Sequence, residues 1–377
     1  MLDSAAIEAV TRPLASARTL PPDAYIKEAV FDTEVERIFR REWICVARED
    51  QIPKPGDYRV VTVVDQPLIV VRGSDGGVNA LSAICPHRSM PVVSEDGHGA
   101  AFSCPYHRWK FGLDGRLLSA PHMDGTEGFA EADCRLPAVR VERWQGFVFV
   151  NLDDDAPSLG ERLPALESLL AGYDMSDMVV AASETFDCPW NWKLLVENFM
   201  EAYHHIGPHR ETVQPTNPAK DAHVSGSVAD GWSVLHMPYA PKALAADAAG
   251  GLPSLPNLSE VQQREIVASV IMPTFCWLNT PSVAFWYELS PSAHDAMRLT
   301  IHTLLPGALA ESAMGEAIAD GAHSAIRAIH LEDIAVNEGP WRGLHAPLTR
   351  QGRLGPLEEA IWQLNQWWVA RMRAVLR

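Results

Sequence analysis

Several things are scarce in this chain, and each scarcity removes a class of function. Lysine and arginine number 31 against 48 aspartates and glutamates, a formal net charge of −17. No basic stripe is visible, so neither nucleic acid nor an anionic membrane surface is expected as a partner. Cysteine is also sparse, six in 377 residues, and Cys45, Cys134, Cys188 and Cys276 stand alone with no disulfide spacing. A reducing, cytoplasmic setting is expected. No apolar run approaches the roughly 18 residues of a membrane span. The start, Met-Leu-Asp-Ser-Ala-Ala-Ile-Glu, carries acid early and lacks an apolar core, so no signal peptide is expected. There is no Gly-x-Gly-x-x-Gly fingerprint after a strand and no flavin motif, so the chain is not expected to bind a dinucleotide itself. No internal repeat or low-complexity segment stands out.

What is present divides the chain. At 377 residues and 47% hydrophobic content, two cores are expected. Residues 1–42 read as a helical arm packing on the catalytic half. Residues 43–153 read as a small β domain, with strand-like runs at Tyr58–Val64, Pro67–Val71, Val78–Ala83 and Phe147–Leu152 and an Asp114-Gly115 hairpin turn. The polar Asp153–Ser158 stretch marks a boundary. Residues 154–377 mix helices with strands: a helix over 163–173, a strand over 177–188, a long helix from Pro189 to Tyr203 with proline at its first position, strands between 266 and 305, and helices over 311–338 and 357–376. Residues 211–265 show little periodicity and read as a lid or access loop. The fold class is α+β.

The small domain carries Cys85-Pro-His87-Arg88 and Cys104-Pro-Tyr-His107. The chain between them is expected to run out, turn near Glu95-Asp96-Gly97 and return, bringing two loops face to face. Two thiolates and two imidazoles suit either tetrahedral zinc or a two-iron, two-sulfide cluster in which histidines replace cysteines on one iron. Zinc loops usually present like ligands together. Here each loop gives one of each, so one iron takes both thiolates and the other both imidazoles. The pair resembles the Rieske motif, C-x-H followed by C-x2-H, complete at all four positions. Replacing anionic thiolates by neutral imidazoles raises the potential to about −150 to +300 mV, against roughly −400 mV for all-cysteine plant-type clusters.

A second constellation lies about a hundred residues on: Glu197-Asn198-Phe-Met-Glu201-Ala-Tyr203-His204-His205-Ile-Gly-Pro-His209. On one helix Glu197, Glu201 and His204 share a face, and the Gly-Pro break turns His209 back toward it. Two histidines and a carboxylate from elsewhere build the facial triad of non-heme iron(II), with open positions for O2. With both motifs present, the whole chain resembles the catalytic alpha subunit of the Rieske non-heme iron oxygenases, whose second signature is an acid followed by x-Tyr-His-x4-His.

The resemblance implies a Rieske domain followed by a helix-grip catalytic domain, an antiparallel sheet with long helices. It implies a [2Fe-2S] cluster on Cys85, His87, Cys104 and His107. Mononuclear iron falls to His204 and His209, with His205 as a decoy, and to a carboxylate on a late helix. Asp333 is chosen there, with Glu332 and Glu338 as alternatives. Glu201 stands where the family more often has Asp, and is implied to bridge a cluster histidine to His204 of an adjacent subunit in a head-to-tail homotrimer. The glutamate form resembles the subgroup acting on quaternary ammonium compounds. Asn198 is a candidate to orient a ligand or to serve as a packing amide, and His330 a candidate neighbour of the site. Trp232, Tyr239, Phe275, Trp277, Phe285 and Trp286 are candidate pocket residues, suited to a flat ring or to a cation. Electrons are implied to come from NAD(P)H through a separate reductase or ferredoxin. O2 is then the co-substrate for hydroxylating or oxidatively demethylating a small aromatic or methylated amine. The competing reading is a Rieske-type electron carrier, or a zinc protein, whose second domain only binds a ligand.

Overall fold

A computed structural model describes residues 2–243 and 252–373. The chain forms two compact units, one of residues 40–157 and one joining residues 1–39 to 158–377. These divisions lie within a few residues of the boundaries expected at 42 and 153.

The smaller unit is built on strands β1 (Ile44–Arg48), β2 (Asp57–Val63), β3 (Gln66–Arg72), β4 (Val78–Ser82), β5 (Gly97–His98), β6 (Phe102–Ser103), β7 (Lys110–Phe111), β8 (Leu117–Ser119), β9 (Ala138–Trp144) and β10 (Phe147–Asn151). One sheet runs β1-β10-β9-β4-β3-β2-β5, and β6-β7-β8 form a small second sheet. The buried Ile69, Val71, Leu81, Phe102, Trp109 and Phe111 make a core that also contains Cys85 and Cys104. The expected hairpin between the two cysteine loops does not form. No strand forms over 89–94, the outgoing half; β5 lies at the expected turn and pairs with β2, and β6 beyond it pairs with β7. The polar Ser-Glu-Asp-Gly-His-Gly run has too little apolar surface to hold a hairpin of its own, and Asp96 is tied to β2 by accepting from the Val60 amide at 2.7 Å.

The larger unit centres on a seven-stranded antiparallel sheet. Its strands are β11 (Met178–Cys188), β12 (His223–Ser227), β13 (Trp232–Pro238), β14 (Glu265–Ile271), β15 (Phe275–Asn279), β16 (Ala284–Ala293) and β17 (Ala296–Pro306). They lie in the order β11-β17-β16-β15-β14-β13-β12. Two of these strands fall in the stretch expected to be a loop. His223–Ser227 and Trp232–Pro238 pair around a turn in which Gly231 takes φ +75°, a left-handed value that glycine adopts freely. The remainder of the expected lid includes residues 244–251, which lie outside the described residues, as do the last four of the C-terminal segment.

Helices grip one face of this sheet. The long helix Gly315–Leu344 lies on β11 and β17. It is tied there by Thr303 Oγ1 to His323 Nδ1 at 2.9 Å and by Arg327 donating to both Glu184 oxygens at 2.8 and 2.9 Å. The C-terminal helix Glu359–Met372 covers β12 and β13. A shorter helix, Trp192–Phe199, packs against the long one. It begins at Asn191, whose side chain accepts from the Lys193 amide, and not at Pro189 as expected, and it stops at Met200. Asparagine satisfies an end amide that proline cannot.

The N-terminal arm is fastened to this short helix by buried charge. Glu34 and Lys193, both fully buried, meet at 2.6 Å. The indoles of Trp192 and Trp368 donate to the same carboxylate at 3.0 and 2.6 Å. Asn191 Nδ2 donates to the Tyr25 carbonyl at 2.9 Å.

Candidate metal centres and the adjoining cavity

In the smaller unit the two cysteine loops share one backbone design. The amide of Ser89 donates to the Cys85 carbonyl and that of Arg108 to the Cys104 carbonyl, both at 3.0 Å. The amides of Cys85 and Cys104 donate to Met90 and Trp109 carbonyls, both at 2.8 Å. Ser89 and Arg108 each take a left-handed φ, +54° and +63°. The loops differ in where the imidazole sits, two residues after the first cysteine and three after the second. Cys85 and Cys104 are buried side by side, near enough for their thiols to interact. Burial raises the Cys85 pKa, and the neighbouring Cys104 adds to this while the His87 and Arg88 amides oppose it. His87 and His107 come together at 4.7 Å between ring centres, and Trp109 stacks flat on His87 at 4.7 Å. Thiols thus pair with thiols and imidazoles with imidazoles. That division of donors fits a cluster with one iron of each kind, and these donors do not draw together within 4.8 Å as those of His204, His209 and Asp333 do, as a single tetrahedral ion would need.

In the larger unit, donor atoms of His204, His209 and Asp333 lie within 4.8 Å of one another. His204 sits in a single tight turn, Tyr203–Ile206, after the short helix has ended. Its Nδ1–H donates to Glu201 Oε1 at 2.6 Å, and its backbone amide donates to Glu201 Oε2 at 3.0 Å. Its Nε2 then faces Asp333 Oδ1 at 3.5 Å. His209, buried, repeats the pattern: Nδ1 meets Glu332 Oε2 at 2.6 Å and Nε2 meets Asp333 Oδ1 at 2.9 Å. A carboxylate behind each ring fixes its tautomer and leaves Nε2 of both aimed at one place. Burial lowers the His209 pKa, but the facing Asp333 and Glu332 outweigh it and hold the ring above its ordinary value.

The carboxylate that joins both histidines is Asp333. Glu332 stands behind His209, where Thr212 Oγ1 also donates to it at 2.7 Å. Glu338 turns away to Arg342 at 3.5 Å. Asn198 Nδ2 donates to Asp333 Oδ1 at 3.3 Å, and Asn337 Nδ2 donates both to the Asp333 carbonyl at 2.9 Å and to Asn198 Oδ1 at 3.4 Å. Asn198 therefore steadies a carboxylate. His205 is directed elsewhere, its Nδ1 bonded to the Asn217 carbonyl at 3.1 Å, and burial pushes its pKa down to about 4.

Glu197 does not join this group, because the helix ends before Glu201 and the expected common face is interrupted. It receives the Tyr25 hydroxyl at 2.6 Å, and burial pushes its pKa up to about 7 although Tyr25 and Lys193 oppose the rise. Thr212 and Asn337 escaped sequence reasoning, and Glu332, an alternative to Asp333 as the third ligand, instead stands behind His209. The only signal for Glu332 was its place beside Asp333.

A cavity of about 350 Å³ adjoins His204, His209 and Asp333. Its walls come from the short helix, the long helix and the inward face of β13 to β16. Of the six aromatics expected to line it, Phe285 alone does so; Phe199 and Tyr287 complete the aromatic wall. Strand parity explains the others. Leu278 pairs with Phe285 on the cavity face, whereas Trp277 pairs with Trp286 on the opposite face, where Trp286 stacks on His302 at 4.5 Å. Trp232 and Phe275 share that opposite face by register, and Tyr239 lies beyond the end of β13.

Comparison with known proteins follows the same division. Residues 42–133 match the Rieske [2Fe-2S] domain, and residues 175–374 match the ring hydroxylating alpha subunit catalytic domain. The carnitine monooxygenase oxygenase subunit of Acinetobacter baumannii is 36% identical over 195 residues, covering 51% of this chain and 52% of that protein. The glycine betaine monooxygenase oxygenase subunit of Pseudomonas aeruginosa is 34% identical over 236 residues, covering 59% and 54%. The chain thus spans about half the length of the curated relatives it matches. Its fold is that of the quaternary ammonium Rieske monooxygenase CntA in complex with L-carnitine, with a TM-score of 0.80 at 24% identity over 98% of this chain and 99% of that one. Naphthalene 1,2-dioxygenase from Rhodococcus sp. bound to indole superposes with a TM-score of 0.82 at 21% identity over the whole of both chains. With more than half of its length matching the catalytic-domain model and a Rieske [2Fe-2S] domain ahead of it, this chain belongs to the ring-hydroxylating alpha subunit family of Rieske non-heme iron oxygenases.

Proposed function

We propose that the protein is a terminal oxygenase component: it takes electrons from a separate reductase or ferredoxin and uses O2 to hydroxylate or oxidatively demethylate a small organic molecule. The observation that carries this reading is the convergence of His204 Nε2, His209 Nε2 and Asp333 Oδ1 beside an apolar cavity. Two imidazoles and one carboxylate are the donor set of non-heme iron(II) sites that leave positions open. When bound there, iron(II) supplies the one-electron and O2 chemistry that no amino-acid side chain performs.

The remaining work belongs to the chain. Glu201 and Glu332 hold the imidazole Nδ1 protons and so keep Nε2 of each ring free to ligate. Asn198 and Asn337 hold the Asp333 carboxylate in place. The apolar walls exclude water and orient a substrate. Cys85, His87, Cys104 and His107 would hold the [2Fe-2S] cluster that receives one electron at a time. Glu201, already bonded to His204, is the group suited to link that ring to a cluster histidine, which would let the electron move from the cluster side toward His204. Relatives' inter-subunit electron transfer supports a ring in which the donor histidine belongs to a neighbouring copy, and a head-to-tail homotrimer closes such a ring. A cytoplasmic location agrees with the cysteine usage and the cluster, and no helix among the described residues is long and apolar enough to cross a membrane.

The test is anaerobic iron(II) loading followed by nitric oxide, whose iron(II) adduct is read by electron paramagnetic resonance. Wild type is expected to show one mononuclear site beside the Rieske signal, together with substrate-dependent O2 uptake. His204→Ala is expected to lose the mononuclear signal and the uptake while the Rieske spectrum persists. Unchanged uptake in His204→Ala removes the assignment, and an iron-free, sulfide-free protein returns the reading to zinc.

A further inference from the structure

One polar side chain beside the cavity has no part in the arrangement above. His330 lies one helical turn before Asp333 on the long helix and lines the same cavity. It is 0% exposed, and neither Nδ1 nor Nε2 has a hydrogen-bond partner among the described residues. Buried polar groups are paired in the large majority of cases, so an imidazole unpaired at both nitrogens calls for a reason. Its neighbours offer none: Phe186 packs edge-on at 4.7 Å and Tyr287 at 6.2 Å between ring centres. Burial lowers its pKa, with Asp333 and Glu184 opposing, and so favours the neutral ring. A neutral imidazole presents one donor and one acceptor.

The other walls restrict what those two atoms meet. Leu195, Phe199, Ile266, Leu278, Phe285 and Ile329 are among them, and among the described lining residues there is no lysine or arginine. The segment 244–251, Leu-Ala-Ala-Asp-Ala-Ala-Gly-Gly, contains neither. Of the remaining polar lining groups, Tyr287 contributes a hydroxyl, and Asn198, Asn217 and Thr280 are engaged. The Asn198 amide holds Asp333, Asn217 Nδ2 donates to the Met237 carbonyl at 2.8 Å, and Thr280 Oγ1 donates to the Val283 carbonyl at 2.9 Å. A ligand carboxylate placed here would lose its hydration and find acids, Glu201 and Asp333, where it needs cations. A betaine, which carries both a quaternary ammonium and a carboxylate, is therefore a poor match for this cavity, whatever its fit to the relatives.

We propose that His330 is a specificity-determining residue: it hydrogen-bonds the one polar group of an uncharged, largely apolar substrate and so fixes which carbon of that substrate faces His204, His209 and Asp333. This rests on the reading of the cavity as an oxygenase active site. One turn of helix separates the imidazole from Asp333, so a substrate anchored at His330 has its apolar body laid along the metal-ligand group.

The experiment compares indole, which has a donor N–H, with indene, its near-isostere with a CH2 in that position, and with glycine betaine. Dissociation constants are measured calorimetrically on the iron-loaded, reduced holoenzyme under nitrogen, for wild type, His330→Phe and His330→Gln. Wild type is expected to bind indole about tenfold more tightly than indene, the worth of one net hydrogen bond, and to bind glycine betaine more weakly than either. His330→Phe is expected to abolish the preference by weakening indole alone, and His330→Gln, which keeps a donor and an acceptor, to restore part of it. The proposal is overturned if wild type shows no preference or binds neither ring, if the preference survives in His330→Phe, or if glycine betaine binds most tightly. Should His330→Phe not fold, the wild-type ratio decides by itself. Nitric oxide titration of the same samples keeps the two readings apart: loss of the mononuclear site in wild type sinks the oxygenase assignment, while the binding ratio still judges His330.

Discussion

Each imidazole at the larger centre is oriented by a carboxylate placed behind it, Glu201 for His204 and Glu332 for His209. Such outer partners set ligand basicity as well as direction, and losing one typically costs 10–100-fold in metal affinity, by the order of magnitude found for comparable sites. Glu332→Gln is therefore expected to weaken iron(II) binding by roughly that factor with the Rieske absorbance unchanged, as read by anaerobic titration. Unaltered affinity would show that Thr212 and Asp333 suffice to hold His209. At this scale the sequence was readable where chemistry restricts residue type. Cysteine and histidine at fixed spacing have few other uses in such a pattern, and Tyr203-His204-x4-His209 is nearly as restrictive. The role of Glu332 behind His209, as against the ligand alternative it offered, and that of Asn337 could not be read, because an acid or an amide on an acidic helix looks like any solvated side chain until the chain folds. His330 was visible as a neighbour of Asp333, yet its unpaired state exists only in three dimensions, since it depends on what Phe186 and Tyr287 fail to offer.

The short helix Trp192–Phe199 takes its stability from partners distant in sequence. Lys193 has its ammonium between Glu34 of the N-terminal arm and the faces of Tyr25 and Trp192, and Trp192 and Trp368 donate to the same Glu34 carboxylate. Removing one member of a fully buried pair leaves the other uncompensated, which costs about 3–5 kcal/mol. Lys193→Met is expected to lower unfolding stability by that order, measured by chemical denaturation, and adding Glu34→Gln is expected to recover much of the loss. Equal destabilisation of single and double variants would mean that packing at this position outweighs charge. Elements were legible to the degree that their own residues determine them. The continuous apolar run in Phe147–Asn151 and the alternation that starts at Met297 sufficed for strands. The end of the short helix at Met200 was missed because the residues after it, Glu201 to His205, have ordinary helical propensity. What unwinds them is the turn that Glu201 stabilises by accepting from the His204 amide and ring. Strand parity was the other loss: aromatics adjacent in sequence, Phe285 and Trp286, fall on opposite faces of the sheet, and only the register with β15 says which one meets the cavity.

Over the whole molecule, composition separated a β-rich segment, expected over 43–153, from a mixed one, because the chain changes character near Trp43 and turns polar at Asp153–Ser158; the compact unit is Arg40–Pro157. Assembly was not readable from the residues at all, since nothing in one chain states which copy's cluster serves which iron. If transfer crosses between subunits in the proposed ring, a mixture of two inactive proteins is informative. Cluster-deficient His107→Ala and iron-site-deficient His204→Ala, dissociated and reassociated together, are expected to regain part of the O2 uptake that neither shows alone. No recovery would place the working route within a single chain. Within the smaller unit, the matched loops at Cys85 and Cys104 bury the sulfur atoms in the core and leave both imidazoles half-exposed. That arrangement behaves like a lead insulated along its length and stripped at one tip. Were a cluster held there, electrons would reach it most readily where His87 and His107 surface, and docking would be an exercise in presenting the bare end.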